Sequence, residues 1–289
     1  MSLRPSGLPK ARAQLLRHLE DPASALRSTT SEAQRPGLEV ATTHVRAADL
    51  YWVTKDMAAL AVSAGGQLAA ARWATADRPS ACGLIYFDGG IGMLDAQGVE
   101  MPVDAMTWGP SSSGCEVGFY MDRRRVDERL RSTGMTLVKE DVPPLVPMVS
   151  FAAPVTTEPH PMAELDDEPA VLFGALAAAW LLMQQPQLVD RTRERADGPT
   201  RRAHARQNLP SPDITVVDLR RQYTPQDRDP DAGGDGRTYR HRWVVSGHWR
   251  NQAYGPGQSL RRKTYVPAYV KGPDGAPLLS TEKVNVWRR

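Results

Sequence analysis

Apolar positions recur at two different periods along this chain, and the changes of period divide it into elements. Near the start, Leu15, Leu16 and Leu19 share one side of a helix predicted over residues 9–19, and Pro22 stops it. Residues 23–37 are polar with few core candidates and read as loop, so residues 1–37 form an N-terminal helix and arm. From 38 to 151 short apolar runs predict a mixed α/β domain. Residues 50–53 are a strand, after which Thr54 caps a helix through Met57, Leu60 and Ala61 that ends at Gly65-Gly66. Residues 83–87 are a continuous apolar strand, turned by Asp88-Gly89-Gly90 into a hairpin with residues 91–94. Strands are also predicted at 103–108, 115–121 and 145–151, with a basic helix over 123–131. These elements imply an antiparallel sheet with a few helices on one side.

Residues 152–166 are proline-rich and aperiodic, which marks a linker. Asp166-Asp167-Glu168-Pro169 then opens a helix that runs through Leu172, Leu176, Trp180 and Met183 to Pro186. Apolar on nearly every side, it is expected to be the central core helix of a second, basic α+β domain spanning 167–289. Residues 191–206 read as an exposed arginine-rich helix broken at Gly198-Pro199, and 223–237 as an Asp-, Gly- and Pro-rich loop. Strands are predicted at 214–219, 238–250, 262–270 and 283–287. The expected fold class is therefore α+β in two domains, each an antiparallel sheet with a few helices.

Composition places the chain among globular proteins, with 41% hydrophobic and 24% charged residues. Its longest apolar run, residues 170–183, is too short to cross a bilayer, so no membrane partner is expected. The first residues lack the apolar core of a secretory signal, and Cys82 and Cys115 supply no disulfide framework, so a reducing cytoplasm is expected. The net charge is only +3, but residues 191–289 hold 20 Lys+Arg against 10 Asp+Glu while the rest hold 16 against 23. A basic end of this kind suits a polyanionic partner; a general use of Arg in place of Lys is the alternative.

Candidate chemistry concentrates in residues 239–250, where two histidines, three arginines and three aromatics are followed by Arg261-Arg262-Lys263 and Tyr265. On one strand, Arg240, Arg242, His248 and Arg250 would share a face, provided Gly247 makes no bulge, and Arg262 or Lys263 would join them depending on register. Guanidinium forks suit phosphates, and Trp249, Tyr254 or Tyr265 supply stacking surfaces. The expected binding set is thus Arg240, Arg242, Trp249, Arg250, Arg261, Arg262 and Lys263, with DNA or RNA as partner. An edge strand guarded by charge is the structural alternative. A second reading is a metal-independent ribonuclease, acting as toxin or interference factor, with His248, Arg250 and Tyr265 as catalytic residues. His241 stands at odd spacing from His248 and should face away from it. A third is a structural or interaction protein that joins another copy or a protein partner. No reaction is named by these residues, so whether the protein is an enzyme stays open. Neither a metal-ligating set nor a phosphate loop has the required spacing, and no metal or cofactor is expected.

Residues 180–186 (Trp-Leu-Leu-Met-Gln-Gln-Pro), 247–252 (Gly-His-Trp-Arg-Asn-Gln) and 269–273 (Tyr-Val-Lys-Gly-Pro) together resemble a family of uncharacterised proteins carried by actinobacterial phages, plasmids and integrated elements. The resemblance is strongest over 170–289 and weaker around 83–87 and 106–110. It implies a mobile-element setting, in which nucleic-acid transactions and host interference are common roles, and it carries no catalytic residue.

Overall fold

The computed structural model describes residues 3–68, 72–96, 99–112, 114–132, 142–153, 155, 157, 160–161, 167–220, 242–271 and 278–279. The chain divides into two compact units, Met1–Leu219 and Arg220–Arg289. In the first, helices α1 (Leu8–Glu20), α2 (Ala25–Thr29) and α3 (Arg35–Ala47) precede strand β1 (Asp49–Val53) and helix α4 (Lys55–Gly65). Strands β2 (Arg72–Trp73), β3 (Gly83–Phe87), β4 (Gly92–Ala96), β5 (Val99–Val103), β6 (Ala105–Ser111) and β7 (Gly114–Asp122) follow. Helix α5 (Arg123–Ser132) leads to β8 (Leu145–Ala153) and β9 (His160–Pro161). Helix α6 (Asp167–Met183), β10 (Val189–Glu194), α7 (Gly198–Arg206) and β11 (Ile214–Leu219) complete the unit.

Among the described residues, seven strands hydrogen-bond in the order β10-β11-β1-β3-β6-β7-β8. Strand β1 is parallel to both of its neighbours, β11 and β3, whereas the other pairs are antiparallel. The period of two along β1 and β3 sends alternate residues to opposite layers. Leu50, Trp52, Leu84 and Tyr86 join Leu8, Leu15 and Leu19 of α1 and Val45 of α3 in one core cluster, with the Trp52 and Tyr86 rings stacked at 4.4 Å. On the other layer the Tyr51 ring meets Trp108 at 5.5 Å, and Trp108 meets Trp180 of α6 edge-on at 5.2 Å. Phe119 packs on Phe173 of α6 in the same way, and α4 lies against α6.

This arrangement corrects the expectation of an antiparallel sheet with helices on one side. The sheet is mixed, and helices cover both faces, which is why β3 is apolar at every position rather than alternating. The 83–94 hairpin is corrected too: β3 pairs with β1 and β6, while β4 pairs with β5. Residues 23–37 are not loop throughout, since α2 and the start of α3 fall there, with the Ser24 hydroxyl accepting from the Arg27 amide at 3.2 Å. Thr54 precedes α4 as expected, but its hydroxyl donates to Asp218 Oδ1 at 2.6 Å and ties β1 to β11 instead of capping the helix.

The domain layout also differs. The boundary between units falls at Leu219/Arg220 and not at residues 152–166, and within the first unit α6 packs on α4, β10 and β4. The reason is area. From Leu172 to Met183 nearly every α6 side chain is buried, and each large one contributes roughly 1.5–3 kcal/mol on leaving water. Only a wide sheet on one side and a second helix on the other can cover an all-apolar helix. Among the described residues no helix is long and apolar enough to cross a membrane.

Candidate nucleic-acid interface

The second unit contains strands β12 (Arg242–Val245), β13 (His248–Tyr254), β14 (Leu260–Val266), β15 (Tyr269–Lys271) and β16 (Leu278–Leu279). The single strand expected over 238–250 is interrupted at Ser246-Gly247: β12 pairs with β15 and β16, whereas β13 pairs with β14. Tyr265 explains the break. Its hydroxyl lies 2.2 Å from where a Cβ on Gly247 would stand, so only glycine lets the ring close over the chain there. Tyr265 is 5% exposed, burial raises its phenol pKa, and its ring meets Trp249 edge-on at 5.1 Å.

Strands β13 and β14 form a ribbon with seven cross-strand pairs, from His248 opposite Val266 to Tyr254 opposite Leu260. The turn between them carries positive φ at Gly255, Gly257 and Gln258, with φ +76° at Gly255. Opposed residues share a face, so His248, Arg250, Gln252, Tyr254, Leu260 and Arg262 stand on one side. Trp249, Asn251, Arg261, Lys263 and Tyr265 stand on the other. The undecided register is thereby settled: Arg262, not Lys263, joins Arg250. On that face the Arg262 guanidinium lies over the Tyr254 ring, 5.5 Å from its centroid, with Tyr254 41% and Leu260 48% exposed. Arg250, Arg261 and Arg262 are exposed and make no ion pair with a carboxylate among the described residues. Arg261 donates instead to the turn carbonyls of Gln258 and Leu260.

Of the expected binding set, Arg250, Arg261, Arg262, Lys263 and Trp249 thus lie on one ribbon, divided between its two faces. Trp249 is half-buried against Tyr265, whereas Tyr254 is exposed with Arg262 over one face of its ring. Arg242 lies in β12, opposite Leu278, outside the ribbon. Arg240 and His241, the strand at 283–287 and the 223–237 loop lie outside the described residues. The ribonuclease set is divided as well. His248 and Arg250 share a face, but Tyr265 is buried on the opposite one, because cross-strand pairing places it beside Trp249. His248 Nδ1 is 3.1 Å from the Ser246 carbonyl oxygen, which can only accept, so Nδ1 is the donor in that hydrogen bond. Of that set, only Arg250 therefore stands with His248 on its face.

The sequence contains a further signal that the strand-by-strand reading missed. Residues 242–271 include Arg242, Arg250, Arg261, Arg262, Lys263 and Lys271 and not one Asp or Glu. A thirty-residue stretch of that kind cannot neutralise itself internally. No family model matches the chain, and no curated protein does. A solved structure described as the crystal structure of AcrVA2 is similar over 90% of this chain and 91% of that one, at 12% identity and a TM-score of 0.39. A likeness at that level assigns neither fold nor role.

Proposed function

We propose that the β13–β14 ribbon binds nucleic acid. The observation that carries the reading is the exposed Arg262–Tyr254 pair on the face that also bears Arg250, within a segment free of carboxylates. Cations this close repel one another, and a polyanion that brings phosphates between them relieves the repulsion. Arg262 covers one face of the exposed Tyr254 ring and leaves the other for a base to stack on; such a contact is worth about 1–3 kcal/mol. Cations on both faces suit a two-stranded ribbon lying in a groove, where each face meets one backbone. The mobile-element setting rests on the resemblance of the 180–186, 247–252 and 269–273 segments, and a role in host interference would follow from it.

Duplex binding by the full chain should weaken steeply as salt rises, since each neutralised phosphate releases counterions. If Arg250, Arg261, Arg262 and Lys263 each meet a phosphate, the slope of log K against log salt is about −3.6. Arg250→Gln with Arg262→Gln should reduce its magnitude by about 2 without changing the fold. Loss of fold is checked by circular dichroism. No retention of DNA or RNA at low salt by the folded protein overturns the reading. Salt-insensitive self-association in its place supports the interaction-protein alternative.

A further inference from the structure

A cationic groove in the first unit, remote in sequence from the ribbon, is assigned no role by anything above. We infer that the groove between the start of α1 and the start of α5 is a binding site for a small phosphate-bearing polyanion. It encloses about 320 Å³, at the lower end of the range of small-molecule sites. Arg4, Lys10, Arg123 and Arg124 line it, and its one acidic lining residue is Asp122.

That carboxylate is already engaged. Asp122 is 3% exposed; one oxygen accepts from the Tyr86 hydroxyl at 2.9 Å and from the Arg124 guanidinium at 3.0 Å, and the other accepts from the Arg124 amide at 2.9 Å. The Asp122–Arg124 pair is thus internally matched, and Arg4, Lys10 and Arg123 bring three further positive charges to the same small space. Arg4 and Lys10 make no ion pair with a carboxylate among the described residues. One monovalent anion would leave either Arg4 or Lys10 uncompensated; a phosphate ester or pyrophosphate can meet both and offers oxygens for the guanidinium forks.

The groove is built rather than incidental. Leu8, Ala11 and Leu15 bury α1 in the core, and the buried Arg12 side chain donates to the Ala48 carbonyl, so the helix cannot swing away. Lys10 and Gln14, one turn apart, both border the groove, while Gly7 and Ala11 are small enough to keep it open. On the facing wall the Arg123 amide donates to the Pro144 carbonyl at 3.0 Å and its guanidinium to the Val142 carbonyl at 2.8 Å, which fixes the start of α5. Leu3, Ala11 and Pro144 give the apolar contact that a sugar or base would add to a bare phosphate.

The test is calorimetric titration of the full chain, with any tag at the C-terminal end, using pyrophosphate and then a nucleoside diphosphate at constant ionic strength. Pyrophosphate should bind at millimolar concentration or better, and the nucleoside diphosphate more tightly if the apolar wall is used. Arg4→Gln and Lys10→Gln alter exposed side chains outside the Asp122 network; each should weaken binding by about tenfold, with an unchanged melting temperature in the absence of ligand. Arg250→Gln with Arg262→Gln should leave this binding unaltered, which separates it from nucleic-acid retention by the ribbon. Three results overturn the assignment: no binding by wild type at millimolar pyrophosphate, equal binding by the Arg4→Gln/Lys10→Gln double variant, or an equal thermal shift from acetate.

Discussion

Helices α4 and α6 touch backbone to backbone, and a single methyl group should reveal it. A Cβ on Gly65 would lie 2.5 Å from the Gly174 carbonyl carbon and 2.6 Å from the Ala175 nitrogen. Neither atom can rotate aside, so Gly65→Ala must push the helices apart by roughly 1 Å to restore ordinary contact. Displacement on that scale also loosens Phe173 and Trp180, which α6 presses against the sheet. Overpacking of this kind costs about 3 kcal/mol, against a helix-propensity gain of at most about 1 kcal/mol. In a unit of this size a net loss of about 2 kcal/mol lowers the melting temperature by roughly 4–8 °C. The internal controls are Gly66, next in the chain, and Gly174, across the crossing. Gly66→Ala meets nothing closer than 3.8 Å and should leave the melting temperature near that of wild type. Gly174→Ala meets the Gly65 carbonyl oxygen at 3.0 Å and should fall between the two. Thermal unfolding followed by near-ultraviolet circular dichroism, to which the Trp108–Trp180 pair contributes, measures the series. A Gly65→Ala protein as stable as Gly66→Ala would refute the close crossing.

Gly247→Ala should disrupt the ribbon, because its methyl would meet the Tyr265 hydroxyl at 2.2 Å and ring carbon at 2.8 Å; adding Tyr265→Phe should restore part of the lost hydrogen-exchange protection in β13 and β14, since it removes only the nearer clash. The buried His204 accepts at Nδ1 from the Arg12 guanidinium at 2.8 Å, and burial, then the Arg12 charge, lowers its pKa below the ordinary 6.5. As acid is added, the unfolded chain therefore takes up this proton before the folded chain does; stability is intact above about 6.5 and is lost as pH falls through the lowered folded value. His44, lowered chiefly by burial, acts in the same direction. Urea midpoints across this pH range should fall more steeply in wild type than in His204→Gln, and equal slopes would remove His204 from the account.

Local pattern revealed most single elements. Ile214–Leu219 and Gly83–Phe87 have the expected bounds, α5 and α6 begin within a residue or two of their predicted starts, and Gly65-Gly66 ends α4 as expected. What the pattern could not give was pairing. Nothing near β3 indicates that residues 105–108 rather than 91–94 lie beside it, because both runs are apolar and equally near a turn. Helix α3 was hidden for a different reason: its polar start resembles loop, and its buried Thr42, His44 and Val45 are only partly apolar. His44 was legible only through its partner, since its ring occupies the space above Gly109. At the candidate interface, residue types were readable but sides were not. The face shared by Arg250 and Arg262 follows from a register that the Gly255–Ser259 turn sets, and the separation of Tyr265 from His248 follows from the break at Gly247.

The parallel pairing of β1 with β11 also dictates the order in which this polypeptide can be completed. Residues 49–53 leave the ribosome long before residues 214–219, yet the latter supply one of the two neighbours that the middle of the sheet requires. Until then, Leu50 to Val53 present a bare hydrogen-bonding flank with apolar residues on both sides, the condition under which nascent strands recruit the wrong partner. Chains stopped short of Ile214 should accordingly depend on chaperones or precipitate, whereas chains that include Leu219 can close the first unit before the basic segment has been made.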